Sequence, residues 1–119
     1  MNEGNNPDDP PPYVKKEYTT FVVERHVDAD RETTWNVLLE LIEKNVGGYL
    51  TEGDPAPHGL GAVIALPIPG QDLREEVISF EPPWRRVYEI SGAPVALYQG
   101  TTALTEEENG CLMVWTLLI

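Results

Sequence analysis

The sequence predicts an α+β fold: one antiparallel sheet of about six strands, with a single helix between the first strand and the second. Three observations carry this reading. Residues 18–27 are rich in Thr, Val, Phe and Tyr, the side chains that suit a pleated surface. Apolar residues then recur at helical spacing over residues 31–44. From Gly61 onward, short apolar or alternating runs are separated by Gly, Pro and Asn turns. Strands joined by tight turns pair antiparallel, and the helix is expected to cover part of one sheet face.

Each element has its own warrant. The first strand stops at Asp28-Ala29-Asp30. Asp30 is suited to N-cap the helix, and Glu32 places negative charge where the helix dipole favours it. Trp35, Leu38, Leu39 and Ile42 stand at i, i+3, i+4 and i+7, with Val37 and Leu41 expected to widen the apolar stripe. Asn45 and Gly47-Gly48 end the helix, and a loop follows over residues 51–58. Strands are then expected over residues 61–66, 73–80, 84–90, 95–105 and 111–119. The run 84–90 sets Trp84, Arg86, Tyr88 and Ile90 against Arg85, Val87 and Glu89, the period of a half-buried strand. Gly100 is read as a bulge or bend, and Glu106 to Gly110 as a hairpin turn with Asn109-Gly110 suited to positive φ.

The chain has 119 residues, enough for one domain with a real core. Residues 1–17 form an acidic, proline-rich leader and residues 18–119 the domain. With three Trp, five Tyr and two Phe, the chain is not wholly disordered. The leader carries Pro10-Pro11-Pro12-Tyr13, which fits a pattern read by WW domains, but so short a motif inside a proline run is better read as solvated leader. A lone cysteine, Cys111, excludes an intramolecular disulfide and a paired-cysteine zinc site. The net charge of −12 argues against nucleic acid and against an anionic membrane surface as partners. No secretory signal or membrane span is visible, so no membrane insertion is expected and a cytoplasmic location is the default.

The segment from Val27-Asp28-Ala29-Asp30 to Trp35 resembles the opening of the SRPBCC superfamily, which includes START-related, polyketide cyclase/dehydrase and birch-pollen-allergen-like proteins. Four further pieces follow in the same order. They are Gly59-x-Gly61, the run from Glu75-Glu76-Val77 to Glu81-Pro82-Pro83, Arg85-Arg86-Val87-Tyr88, and Asn109-Gly110 leading into Met113-Val114-Trp115. The resemblance implies a helix-grip fold, START-like, in which a curved sheet wraps a long C-terminal helix around a cavity for greasy small molecules. It implies no metal or organic cofactor, and it supplies no shared catalytic motif. It also implies a terminal helix that this sequence does not contain. The apolar last strand is therefore expected to belong to a longer domain, or to have its groove covered by a second subunit or a ligand.

Most catalytic constellations are excluded. The sequence has no phosphate loop, no HExxH and no GxSxG. Asp28, Asp30 and Glu32 mimic a calcium loop, but Thr33 stands where Gly is required and Leu39 where the bidentate Glu is required. No metal site is expected. His26 and His58 lie far apart in sequence and are read as structural or solvent-facing, with acid–base work as the lesser alternative. Cys111 is read as a buried, inert thiol.

Strand alternation groups Ile78 with Phe80, Trp84 with Tyr88 and Ile90, Tyr98 with Leu104, and Met113 with Trp115 and Leu117. Ile78, Phe80, Trp84, Tyr88, Ile90, Tyr98, Met113, Trp115 and Leu117 are therefore the expected lining of the cavity. Glu76 and Arg86 share those phases and are its candidate polar groups. The expected function is binding of an apolar or amphipathic small molecule such as a lipid or polyketide. The alternatives are a polyketide cyclase/dehydrase-type enzyme, whose catalytic residues the sequence does not name, and a regulatory protein-interaction module. A homodimer closing the open groove is the expected protein partner.

Overall fold

A computed structural model describes residues 16–46 and 48–119. The Pro10-Pro11-Pro12-Tyr13 run, nearly all of the leader and Gly47 lie outside the described residues. The elements in order are β1 (Thr20–Val27), α1 (Arg31–Val46), β2 (Tyr49–Thr51), β3 (Val63–Ala65), β4 (Arg74–Glu81), β5 (Arg85–Ser91), β6 (Gln99–Glu107) and β7 (Gly110–Leu118). All seven strands form one antiparallel sheet in the order β1-β7-β6-β5-β4-β3-β2. From β2 onward the sheet is a meander. β1 joins it from the other end, pairing with β7 in unbroken register from Thr20–Leu118 to Val27–Cys111.

The helix forms where its signals stand. The Thr33 N–H donates to Asp30 Oδ1 at 2.7 Å, which satisfies one of the donors orphaned at a helix start and lowers the Asp30 pKa. The helix runs two residues past the expected end at Lys44, and Asn45 Nδ2 donates to the Leu41 carbonyl in its last turn. Sixteen residues give a rod of ~24 Å, which packs over β6 and β7. Trp35, Leu104 and Cys111 are the centre of the core, with Val27, Leu39, Phe80 and Met113 against them. Cys111 is fully buried, and its thiol lies 3.3 Å from Thr34 Oγ1. The apolar stripe is narrower than expected: Val37 and Leu41 remain about half exposed, at 48% and 52%.

Three differences from the expected sheet bear on the site. The first is the strand β2, three residues long and too short to show a period. It pairs Tyr49 with Ile64 and raises the strand number to seven. The second is a β-bulge in β4. Val77 faces Tyr88 and Ser79 faces Val87, so Ile78 is the extra residue and the inward phase switches across it. Before the bulge Glu75 and Val77 point inward, and after it Phe80 does, opposite Arg86. The expectation that residues 76, 78 and 80 share a face fails for this reason. Glu76 pairs with Glu89 on the outer face.

The third difference is Gly100, which is not a bulge. Register runs through it unbroken, with Tyr88 on one side and Leu117 on the other. Its missing side chain makes room for the Tyr88 ring, which any Cβ there would overlap.

Candidate ligand-binding groove

The sheet and α1 together leave a hollow of about 240 Å³ on the helix-bearing face. The helix contributes Leu38 and Ile42 to its walls, and β7 contributes Met113 and Trp115. Its polar floor is Glu75 of β4, Arg86 and Tyr88 of β5, and Thr102 of β6. A second hollow of about 330 Å³ adjoins it, shares Ile42 and Glu75, and runs past Leu41, Ile64 and Leu66. Together they form a groove that is apolar in its walls and polar in its floor, the usual composition of a small-molecule site.

Strand pairing builds the floor. Arg86 faces Phe80 on one neighbour and Thr102 on the other, while Thr102 faces Trp115. Tyr88 faces Val77 and Gly100. Arg86 Nη2 donates to Glu75 Oε2 at 2.5 Å, with the Arg86 side chain only 5% exposed and Glu75 11%. A buried ion pair of this kind is held by mutual charge. Removing one partner would leave the other uncompensated, at a cost of ~3–5 kcal/mol. Arg86 Nε has no hydrogen-bond acceptor among the described residues. The guanidinium also stands 5.1 Å from the Tyr88 ring centre.

Trp115 Nε1 donates to the Tyr88 hydroxyl oxygen at 3.0 Å. That bond consumes an acceptor position on Tyr88 and leaves its O–H proton available to a further partner. Burial pushes the Tyr88 pKa up, and the Trp115 bond only partly opposes it, so the side chain is a neutral phenol near neutrality.

A second polar cluster lies at the C-terminal end of α1. The Tyr49 hydroxyl and His58 Nδ1 are hydrogen-bonded, and the two rings meet edge to face with centres 5.3 Å apart. His58 Nε2 is 3.6 Å from Glu43 Oε2. Burial lowers the His58 pKa, opposed by Glu43 and reinforced by Arg86; burial raises that of Tyr49. The neutral imidazole with its proton on Nε2 fits both contacts, accepting from Tyr49 and facing the Glu43 carboxylate. His26 stands at the other end of the helix, where its Nε2 is 3.0 Å from Asp28 and its Nδ1 3.6 Å from Glu107. The two histidines do not form a shared site.

Of the residues expected to line a ligand cavity, Tyr88, Met113 and Trp115 border the first hollow, together with the candidate polar group Arg86. Phe80 instead packs on Trp35, with ring centres 5.5 Å apart. Leu117 is buried in register with Gly100 and Phe21. Ile78 occupies the bulge. Ile90 and Tyr98 meet at the β5–β6 turn, where the Ile90 N–H donates to the Tyr98 carbonyl at 2.8 Å. Trp84 is 54% exposed and stacks under the Arg31 guanidinium, 3.4 Å from its ring centre. Glu76 faces away, and the carboxylate beside Arg86 is Glu75. Sequence reasoning missed Leu38 and Ile42 as groove walls, although the helical stripe contained them. It also missed Thr102 and Tyr49, for which no local signal existed.

No protein-family model and no curated protein matches the chain. Solved structures do match it. CalU16 from Micromonospora echinospora superposes with a TM-score of 0.63 at 19% identity, over 83% of this chain and 59% of that one. A norcoclaurine synthase point mutant from Thalictrum flavum, in complex with a transition-state analogue, gives 0.63 at 16% identity over 89% and 77%. The Aha1 dimer from Colwellia psychrerythraea gives 0.64 at 13% identity over 82% and 74%. The chain thus spans less than two thirds of CalU16 and about three quarters of the other two. The seven-stranded curved sheet with a helix after its first strand is a helix-grip α+β fold, as in these neighbours.

Proposed function

We propose that this chain is an SRPBCC-type cytoplasmic domain that binds an apolar or amphipathic small molecule in the groove between α1 and the sheet. The observation that carries the reading is the groove itself: Leu38, Ile42, Met113 and Trp115 offer apolar walls around buried polar groups from three strands. Binding would be driven by removal of apolar ligand surface from water, at ~25 cal/mol per Å², while the floor orients the ligand. The norcoclaurine synthase neighbour, solved with a transition-state analogue, supports a small-molecule role for the fold.

The test is equilibrium dialysis of the chain against a panel of sterols, fatty acids and aromatic polyketides, with tryptophan emission read in parallel. At least one class is expected to bind saturably, and Trp115→Ala to weaken it about tenfold by deleting a groove wall. Lys16→Ala, outside the groove lining, is expected to change nothing. Absence of saturable binding across the panel would overturn the reading.

Turnover is the second reading, and the Tyr49–His58–Glu43 cluster is what favours it. A neutral imidazole joined to a phenol is equipped to move a proton. A product appearing from a bound polyketide, and lost in His58→Gln, would distinguish an enzyme of the cyclase/dehydrase type from a carrier.

A further inference from the structure

The floor of the groove offers hydrogen-bond donors to a ligand. Arg86 is more than nine-tenths buried, and its Nε has no acceptor among the described residues. Tyr88 accepts from Trp115 and keeps its own O–H proton to give. The buried Thr102 carries a second hydroxyl beside them. A buried donor without a partner is costly, so a ligand that supplies an acceptor oxygen gains more here than in water. The guanidinium charge, however, is already matched. Glu75 Oε2 sits 2.5 Å from Arg86 Nη2, so an entering anion would meet a carboxylate at close range. The chain as a whole, at −12, repels anions as well.

We infer that the groove selects neutral molecules that carry a hydrogen-bond acceptor, such as an aromatic ketone, lactone or quinone, over carboxylates of the same shape. This deepens the ligand-binding reading above and rests on it. The Arg86–Glu75 pair is the specificity device: Glu75 cancels the charge that would otherwise recruit an acid, while Arg86 keeps a donor to give. A lone arginine in the same place would favour the acid, because its fork matches a carboxylate in two parallel bonds.

Three ligands of one ring system isolate the effect: 2-acetylnaphthalene, 2-ethylnaphthalene and 2-naphthoate. Met113 is one of only two methionines and lines the groove, so a ¹³C-methyl methionine label reports binding at this place. In the wild-type chain the ketone is expected to bind about tenfold tighter than the hydrocarbon and about tenfold tighter than the carboxylate, the scale of one hydrogen bond to a charged donor. Thr102→Val should narrow the preference for the ketone over the hydrocarbon. Glu75→Gln keeps an acceptor for Arg86 and removes the negative charge, so it should raise affinity for naphthoate and reverse the order of the two oxygenated ligands.

A hydrocarbon that binds as tightly as the ketone, or a naphthoate that binds tighter in the wild-type chain, overturns the inference while leaving the groove as a ligand site. A Met113 methyl that moves with none of the three overturns both. The wild-type series decides the matter even where Glu75→Gln fails to fold.

Discussion

His58 is the residue whose chemistry the fold changes in a measurable way. Burial favours its neutral form, and Tyr49, Glu43 and Arg86 are the charged and titratable groups around it. Its folded pKa therefore lies below the ordinary value of 6.5. Between those two values the unfolded chain takes up a proton that the folded chain refuses. The stabilisation due to a neutral His58 is thus complete above 6.5 and is lost as pH falls from there toward the folded value. Urea unfolding of the wild-type chain and of His58→Gln, followed from about pH 7.5 to about pH 5, should show the gap between their midpoints closing as pH falls. A gap that widens on acidification would mean that the Glu43 carboxylate, and not burial, governs the imidazole.

Among the elements, β5 and β6 show how a strand interior is shaped around one ring. Replacing glycine by alanine in a strand ordinarily stabilises by ~0.5–1 kcal/mol. At Gly100 the new methyl would overlap the Tyr88 ring, and overpacking of this kind costs ~1–3 kcal/mol, so the overlap decides the sign. Gly100→Ala is expected to lower stability in chemical denaturation, and Tyr88→Ala to cost less when added to it than in the wild-type background. The strands β4 to β7 and the helix were legible because their periods and turn residues were long enough to count. The phase of β4 was not. A bulge is set by pairing with β5, and nothing in Glu75-Glu76-Val77-Ile78 marks which residue is extra. That single unread residue exchanged Glu75 for Glu76 and displaced Ile78 from the expected lining. β2 and its Tyr49 escaped for a related reason, since three residues acquire strand geometry only by borrowing an edge. Trp84 had the correct phase for the inner face, but Arg31, brought across from the start of α1, holds it at the rim.

At the scale of the molecule, the helix covers only part of the sheet. Phe21 and Val23 are in register with Leu117 and Trp115, on the same face as the groove, yet are 49% and 41% exposed. With the groove walls they make a continuous apolar surface of the kind that neutral dyes find. Nile red is expected to brighten and shift to shorter wavelength on titration with the chain, and Phe21→Lys with Val23→Lys to reduce that response by half or more. No change on this double substitution would place the dye elsewhere. No helix among the described residues is long and apolar enough to cross a membrane.

The pairing of β1 with β7 also sets a timetable for synthesis. Of the seven described strands β1 leaves the ribosome first, but the partner it pairs with lies roughly 90 residues later. At ~5–20 residues per second, it waits on the order of 5–20 s for that partner to emerge. Throughout the interval, Phe21-Val22-Val23 is an unpaired, β-prone segment without a charge, and the charged residues that flank it, Lys15-Lys16-Glu17 before and Glu24-Arg25 after, are its brake on mispairing with another nascent chain. The seventh of these strands is therefore the one that retires the hazard created by the first.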